Sequence, residues 1–502
     1  MAPSHRLNGQ AALISARTLR WAILGGVVAG LSCGRPIAEP QAGGLEPCVL
    51  PEVQEPLRCG VLLVPEVRGG GSGRQIALRV VVLPALTSKP AADPWVELVG
   101  GPGNAASDFA ASFAGDLRYL RQTRDVLLVD QRGTGASHPL YCEELALHQL
   151  TSFVPRFPPA AVAACRARLS AVADLSAYTT AAAAEDLDAV RRWLGYAQLN
   201  LFGSSYGTRV ALEYMRRFPA QTRSAMLWGV VPPDFRRPRF YPRDGQRALG
   251  RLLTECHADS ACRGAFPRLA SDVADMWARL DHGPIPMTFV HPSTGATVST
   301  TLTRAGVAQA LWNALSYPDR GRQLPRIIHR AAAGDFSLLQ ALDVATRPPR
   351  RRYYNGMHLS VVCADEVLHN SPAELTAASV GMFMPADRGL EYLAACQAWG
   401  VAPSSADSQR PVTTAVPTLI ISGELDPITP PSWGEQVARA LPHSRHVVIP
   451  ALSHESSGVR GAECLDSLFA RFVTDPTPST LDTTCVSRMR APPFARSASA
   501  PR

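Results

Sequence analysis

Two hydrophobic patterns alternate along this chain. Short runs in which nearly every position is apolar occur at residues 95–99, 125–130, 199–203, 224–231, 418–422 and 446–449. Each is bounded by Gly, Pro or Asp, as in a strand buried on both faces. Between them lie longer stretches with polar residues at helical spacing, at 107–121, 181–194, 210–218 and 433–441. In the 181–194 stretch, Glu185, Asp186 and Asp188 stand near the start and Arg191 and Arg192 near the end, which suits the helix macrodipole. Alternating strands and helices predict an α/β fold with a mostly parallel, doubly wound sheet. Upstream, 59–67 and 75–83 read as a hairpin with a glycine-rich tip.

The rhythm breaks between residues 234 and 411. Helical periodicity dominates there, at 246–255, 269–280, 304–315 and 324–333, with a short hairpin predicted over 287–301. The expected division is a first core segment at 45–233, a largely helical cap at 234–411 inserted after the sixth strand, and a second core segment at 412–475. A Pro/Ser/Thr/Arg-rich tail at 476–502 is expected to be mobile apart from a tether at Cys485. A length of 502 residues fits such a domain with an insertion as well as it fits several domains.

The first thirty-odd residues change the compartment. Arg6, Arg17 and Arg20 precede a short apolar stretch at 21–31, the layout of a signal peptide ending near residue 33. Cys33 lies in LSCG, which resembles a lipoprotein attachment site, although Gly30 occupies a position where a larger apolar residue is usual. Membrane attachment through a lipid on Cys33 therefore stays open. Export predicts a periplasmic, extracellular or envelope-anchored protein. The other ten of the eleven cysteines fall into five neighbouring couples: Cys48 with Cys59, Cys142 with Cys165, Cys256 with Cys262, Cys363 with Cys396, and Cys464 with Cys485. An even count in an exported chain reads as disulfides, and short loops between neighbours are the simplest pairing. No cysteine or histidine spacing suits zinc, so neither metal nor cofactor is expected.

A net charge of +8 raises the question of an anionic partner. Lys89 is the only lysine, and the denser arginine groups at 236–243 and 347–352 are interrupted by prolines and aromatics. Scattered arginines read as solvated surface, and no nucleic-acid partner is expected. A monomer is expected.

The chemistry concentrates at strand ends. The run at 199–203 passes into Gly203-Ser204-Ser205-Tyr206-Gly207 and then directly into a helix. That is the layout of a nucleophile elbow, with Ser205 projected above the sheet and glycines on either side of it. Gly100-Gly101-Pro102-Gly103 follows another strand and leaves backbone N–H groups accessible, as an oxyanion hole requires. Asp426 stands just past the 418–422 strand, and His454 lies beyond the last strand. A serine hydroxyl needs an imidazole to take its proton, and the imidazole needs a carboxylate to fix its tautomer. The chain order Ser, Asp, His is that of this fold.

LVGGPG (98–103), VDQRGTGAS (129–137), GSSYGT (203–208), SGELDPITPP (422–431) and SHESSG (453–458) together resemble the prolyl and tripeptidyl aminopeptidases of the α/β-hydrolase superfamily. The resemblance covers residues 48 to about 485. It implies a secreted serine exopeptidase that releases one or a few residues from peptide N-termini. Ser205 would be the nucleophile, His454 the general base and then acid, Asp426 its partner, and the N–H groups of Gly101 and Tyr206 the oxyanion hole. Val99 stands where many prolyl aminopeptidases have histidine, which leans the resemblance toward the tripeptidyl type. An aminopeptidase must also hold a protonated α-amine, and the acidic pair Asp365 and Glu366 is the expected anchor. An exported carboxylesterase or lipase would share the whole triad, so it is the competing expectation. A non-catalytic binding protein would have no reason to keep all these groups.

Overall fold

The computed structural model describes residues 44–496 apart from 71–72, 147, 149–150, 291–294, 296 and 346–351. The expected signal segment and Cys33 lie outside the described residues. Nine strands form one sheet: β1 (Glu46–Leu50), β2 (Val53–Pro65), β3 (Gln75–Leu83), β4 (Trp95–Leu98), β5 (Val126–Val129), β6 (Leu199–Ser204), β7 (Thr222–Trp228), β10 (Thr418–Gly423) and β11 (Ser444–Ile449). A separate antiparallel hairpin pairs β8 (Ile285–Val290) with β9 (Thr297–Leu302). The sheet order is β1-β2-β3-β5-β4-β6-β7-β10-β11. The β1, β2 and β3 edge is antiparallel, and from β5 to β11 every pairing is parallel.

The apolar runs are buried because the sheet is covered on both faces. Within β5, Leu127 joins one core with Val96, Leu201 and Ile420, while Val126 and Leu128 join the other with Met226 and Ile421. That is the period of two expected of a pleated strand. Helices Thr180–Trp193 (α1), Tyr206–Arg217 (α2) and Pro431–Ala440 (α3) contribute to the first face, and Glu463–Thr474 (α4) to the second.

Several expectations change. Glu46–Leu50 adds an edge strand that its composition hides, so the helical insertion follows the seventh strand of the sheet and not the sixth. The helix expected over 107–121 is broken into Ala106–Phe109, Ala110–Ala114 and Arg118–Arg121, with Gly115 at the interruption. The tail is not loose as far as residue 496: Leu481, Met489 and Phe494 are buried, Arg460 and Arg490 exchange backbone hydrogen bonds, and Cys485 is bonded to Cys464. Its few apolar residues each find a groove, which its polar composition obscures.

Between β7 and β10 the chain is mainly helical, and its packing divides in two. Helices Tyr241–Ala258, Leu269–Asp281, Arg304–Leu315 and Leu324–Ala332 extend the first core. Helices Asn355–Asp365 (α5) and Asp387–Trp399 (α6) instead build a second core with Pro159–Ser170, a helix from before the elbow. Disulfides Cys142–Cys165 and Cys363–Cys396 both lie in that second core. All five neighbour pairings are present.

The VDQRGTGAS stretch holds the second core against the sheet. Asp130 accepts the Ser107 N–H and hydroxyl and the Ala136 N–H. Gly135, at φ 53°, has no room for a side chain, since a Cβ would lie 2.0 Å from the Asp130 carboxylate. Buried Arg132 makes two hydrogen bonds to Asp186 at 2.6 and 2.8 Å and donates to the carbonyls of Glu66 and Ala177. Met357 of α5 packs on Gly133, where a Cβ would approach to 2.9 Å.

Cys363–Cys396 closes a loop of 33 residues inside this second core. Loop-closure entropy predicts that replacing both cysteines with alanine lowers unfolding free energy by about 3 to 4 kcal/mol. Denaturant titration of the double variant checks this, and peptide mapping without reductant should recover the five pairs.

Candidate active site

The elbow forms where β6 meets α2. Ser205 has φ 52° and ψ −121°, one of two non-glycine residues with positive φ among those described. Such a conformation is strained for an L-residue and persists only when its surroundings enforce it. The glycines around it supply that enforcement. A Cβ on Gly203 would sit 2.8 Å from the Gly207 backbone, and one on Gly207 would sit 1.8 Å from the Leu98 carbonyl oxygen. Only glycine lets the first turn of α2 lie against the end of β4.

That close approach sets the glycine loop beside Ser205. A Cβ on Gly100 would meet the Ser205 Cβ at 3.0 Å. The loop is pinned by Asn104, which donates to the Gly100 carbonyl at 3.1 Å, and by Arg237, which donates to the Gly101 carbonyl at 3.1 Å. Among the described residues, neither the Gly101 nor the Tyr206 N–H donates to another group. Both donors are free, and Tyr206 opens α2, whose positive end favours an anion. The Tyr206 hydroxyl receives a hydrogen bond from Gln131 at 2.9 Å and lies 3.3 Å from the Thr180 hydroxyl.

Asp426 and His454 come together as expected. His454 Nδ1 lies 2.8 Å from Asp426 Oδ2. The other carboxylate oxygen accepts the N–H groups of Ile428 and Thr429 at 2.7 and 2.9 Å. Thr429 was not foreseen: its hydroxyl donates to Asp426 Oδ2 at 2.8 Å and lies 3.1 Å from His454 Nδ1. The imidazole itself is set by backbone on both sides. Trp228 donates to the His454 carbonyl at 3.1 Å, Ser453 donates to the carbonyls of Leu315 and Leu425, and Gly229 leaves the space that His454 fills. No hydrogen bond joins Ser205 Oγ to His454 here; such bonds often tighten only once substrate is bound.

The pair is electrostatically coupled. Burial alone would pull His454 down, but the charge of Asp426 and its hydrogen bond outweigh burial, and the imidazole is held above its ordinary value of 6.5. Burial likewise pushes Asp426 up, yet His454 and the two backbone N–H groups hold it below the usual carboxylate range.

The structure surrounds Asp365 and Glu366 with arginines rather than leaving them open to solvent. They end α5 rather than beginning a helix, and both are buried. Asp365 accepts the Thr180 hydroxyl at 2.5 Å and lies 4.0 Å from Arg209 Nε. Glu366, fully enclosed, lies 3.1 Å from Arg237 Nε and 3.8 Å from Arg209 Nη1. Apolar composition before the pair signals burial equally well for an anchor or a strut, and the arginines that decide between them are distant in sequence. The pair supports the two oxyanion elements instead: Glu366 through Arg237 to Gly101, and Asp365 through Thr180 to Tyr206.

Two outcomes follow. Activity that needs neutral His454 should rise with pH through an apparent pKa above 6.5. In Asp426→Asn the residual limb should move to lower pH, with kcat reduced by on the order of 10^4; pH profiles of kcat/KM read both. Glu366→Gln leaves Arg237 without its counter-charge and loosens the Gly101 tether, so ester and peptide hydrolysis should fall together. Loss of peptide hydrolysis alone would restore the anchor role.

Several known proteins are similar to this chain. A family model described as the alpha/beta hydrolase fold matches residues 98–244, and one described as TAP-like protein matches 384–485. Serine protease Hip1 of Mycobacterium tuberculosis is 26% identical over 480 residues, covering 85% of this chain and 90% of that protein. Tripeptidyl aminopeptidase of Streptomyces lividans is 28% identical over 197 residues, covering 36% of each. A solved proline iminopeptidase from Mycobacterium smegmatis covers 83% of this chain and 99% of its own, at 17% identity and a TM-score of 0.40, a superposition too loose to bear on function. This chain has the α/β-hydrolase fold, is similar to the prolyl and tripeptidyl aminopeptidases, and is an enzyme, a serine hydrolase.

Proposed function

We propose that the enzyme is an exported serine peptidase that releases one or a few residues from peptide N-termini. The observation that carries the catalytic reading is the strained Ser205 at the elbow, beside two undonated N–H groups and a histidine bonded to a buried aspartate. In this reading Ser205 Oγ attacks the scissile carbonyl while His454 takes its proton. Asp426 stabilises the imidazolium, and the oxyanion settles on the N–H groups of Gly101 and Tyr206. Collapse expels the amine, protonated by His454, and leaves an acyl-enzyme. Water then repeats the sequence and frees Ser205.

Export is supported by five disulfides, which persist in oxidising compartments. Among the described residues, no helix is long and apolar enough to cross a membrane. The insertion at 234–411 is proposed to act as a cap that shapes the substrate pocket. Action at peptide N-termini is supported by the relatives named as aminopeptidases. One observation favours an esterase instead: Asp365 and Glu366 already lie beside arginines.

Ser205→Ala should reduce turnover on the order of a million-fold without lowering thermal stability, and a serine-reactive phosphonate should label Ser205 alone. Tripeptide amides with free N-termini should be cleaved faster than acetylated ones. Equal rates would sink the exopeptidase reading, and turnover of short acyl esters alone would sink the peptidase reading.

A further inference from the structure

Residues 151–156 and the helical insertion together form a partly open cavity of about 460 Å³ whose lining includes Arg156, Arg388, Gln309, Asn313, Asp387 and Glu391. Arg156 stacks on Phe157 and Tyr353, with its guanidinium carbon 5.1 and 5.5 Å from the ring centres. Arg388 stacks in the same way on Trp312 and Tyr392, at 5.6 and 5.3 Å. Neither arginine forms a salt bridge among the described residues, and the Nε of each is buried without a hydrogen-bond partner. The acidic groups nearby neutralise them only in part: the charge of Glu391 is felt at Arg388, but it forms no salt bridge with either arginine among the described residues. Glu391 accepts the Phe157 N–H at 2.6 Å, and Asp387 is exposed in the first turn of α6. Burial, and beyond it the charge of Arg156, pull Arg388 below the ordinary guanidinium value; at Arg156 burial acts in the same direction but the tyrosines around it outweigh it.

The aromatic rings beneath these guanidiniums connect the cavity to the catalytic loops. Tyr353 packs on Gly103 and bonds His358 Nδ1 at 2.6 Å, and that nitrogen also lies 2.9 Å from the Pro102 carbonyl. Trp312 donates at 3.2 Å to the carbonyl of Pro427, the residue after Asp426. A third arginine, Arg237, reaches Gly101 on the same side but is matched by Glu366. Two like charges that line one partly open cavity repel each other and give up part of their hydration. A carboxylate entering between them would receive charge-assisted, fork-shaped hydrogen bonds and relieve that repulsion.

We propose that Arg156 and Arg388 form an anion subsite that takes a carboxylate of the substrate, from an acidic side chain or from the free C-terminus of a short peptide. The proposal rests on the peptidase reading for its substrate but not for its geometry.

The test uses the whole enzyme and paired peptides that differ only as Glu against Gln, or as a free C-terminal carboxylate against its amide. Glutarate binding, measured by calorimetry, gives a readout independent of turnover. At least one pair should show a preference in kcat/KM for the carboxylate. That preference, and glutarate affinity, should each fall roughly 10- to 100-fold in Arg388→Gln and in Arg156→Gln. The pair that responds identifies the source of the carboxylate. Lysine variants keep the charge but lose the fork and should fall between; they carry the test if a glutamine variant does not fold. A preference that neither variant changes, peptide cleavage indifferent to charge in both pairs, or no glutarate binding by an enzyme that cleaves no peptide overturns the subsite. Arginine-dependent glutarate binding in an enzyme that cleaves no peptide upholds the subsite and sinks the peptidase reading; peptide cleavage indifferent to charge does the reverse.

Discussion

The site depends on one close approach. The first turn of α2 lies so near the end of β4 that Gly207 could not carry even a methyl group without meeting the Leu98 carbonyl oxygen at 1.8 Å. This contact sets the distance between the elbow and the glycine loop, and therefore between the two oxyanion donors, before any side chain is considered. Strain at Ser205 is stored by the same contact, because the turn has no room to relax. The parallel strands on either side act as rigid supports: β4 and β6 are paired in register, so Leu98 and Gly203 lie opposite each other. A position fixed by backbone packing is stiffer than one fixed by a loop, which is what a preorganised oxyanion hole needs.

Arginine does more internal work than the charge pattern suggests. The scattered residues read as solvated surface include Arg132, Arg209 and Arg237, all buried. Each ties two distant segments through carbonyl oxygens as well as carboxylates. Arg209, on α2, donates to the carbonyls of Pro233 and Asp365, so the elbow helix is tied both to the segment after β7 and to the end of α5. A planar donor with several N–H groups can satisfy several acceptors at once, and lysine could not replace it at these positions. Such struts contribute less to net stability than to uniqueness, since desolvation offsets much of their attraction.

What was legible in the sequence follows from how local each signal is. Strands buried on both faces announce themselves as apolar runs, and glycines forced by backbone contact appear as motifs, so β4, β5, β6, β7, β10, the elbow and the Asp426–His454 pair could all be read. Cysteine pairing was readable because each partner is also the nearest in sequence. The edge strand Glu46–Leu50, with its mixed polarity, was not, since pairing with β2 rather than composition makes it a strand. Thr429 lay inside a recognised stretch, but its role needs the imidazole from 25 residues later. Asp365 and Glu366 were found, but their neighbours Thr180, Arg209 and Arg237 were not, because these reach them only through the fold.

Those partners also say what the insertion is to the site. The chain from Asp365 through Thr180 to Tyr206 and Gln131 joins the end of α5 to the start of the elbow helix, and Glu366 joins the same end to Gly101 through Arg237. Both links are buried, so breaking either would leave a charge or an acceptor unpaired in a low dielectric. Swinging α5 away from the sheet as a rigid lid would break both together. Helix α5 is also bonded to α6 by Cys363–Cys396, which places Arg388 on an element covalently joined to the oxyanion support. Contacts to substrate in the cavity therefore bear on the same framework that holds Gly101 and Tyr206. A ligand carboxylate that bridges Arg156 and Arg388 would therefore bear on Trp312 of the first core as well as on Phe157 and Tyr392 of the second.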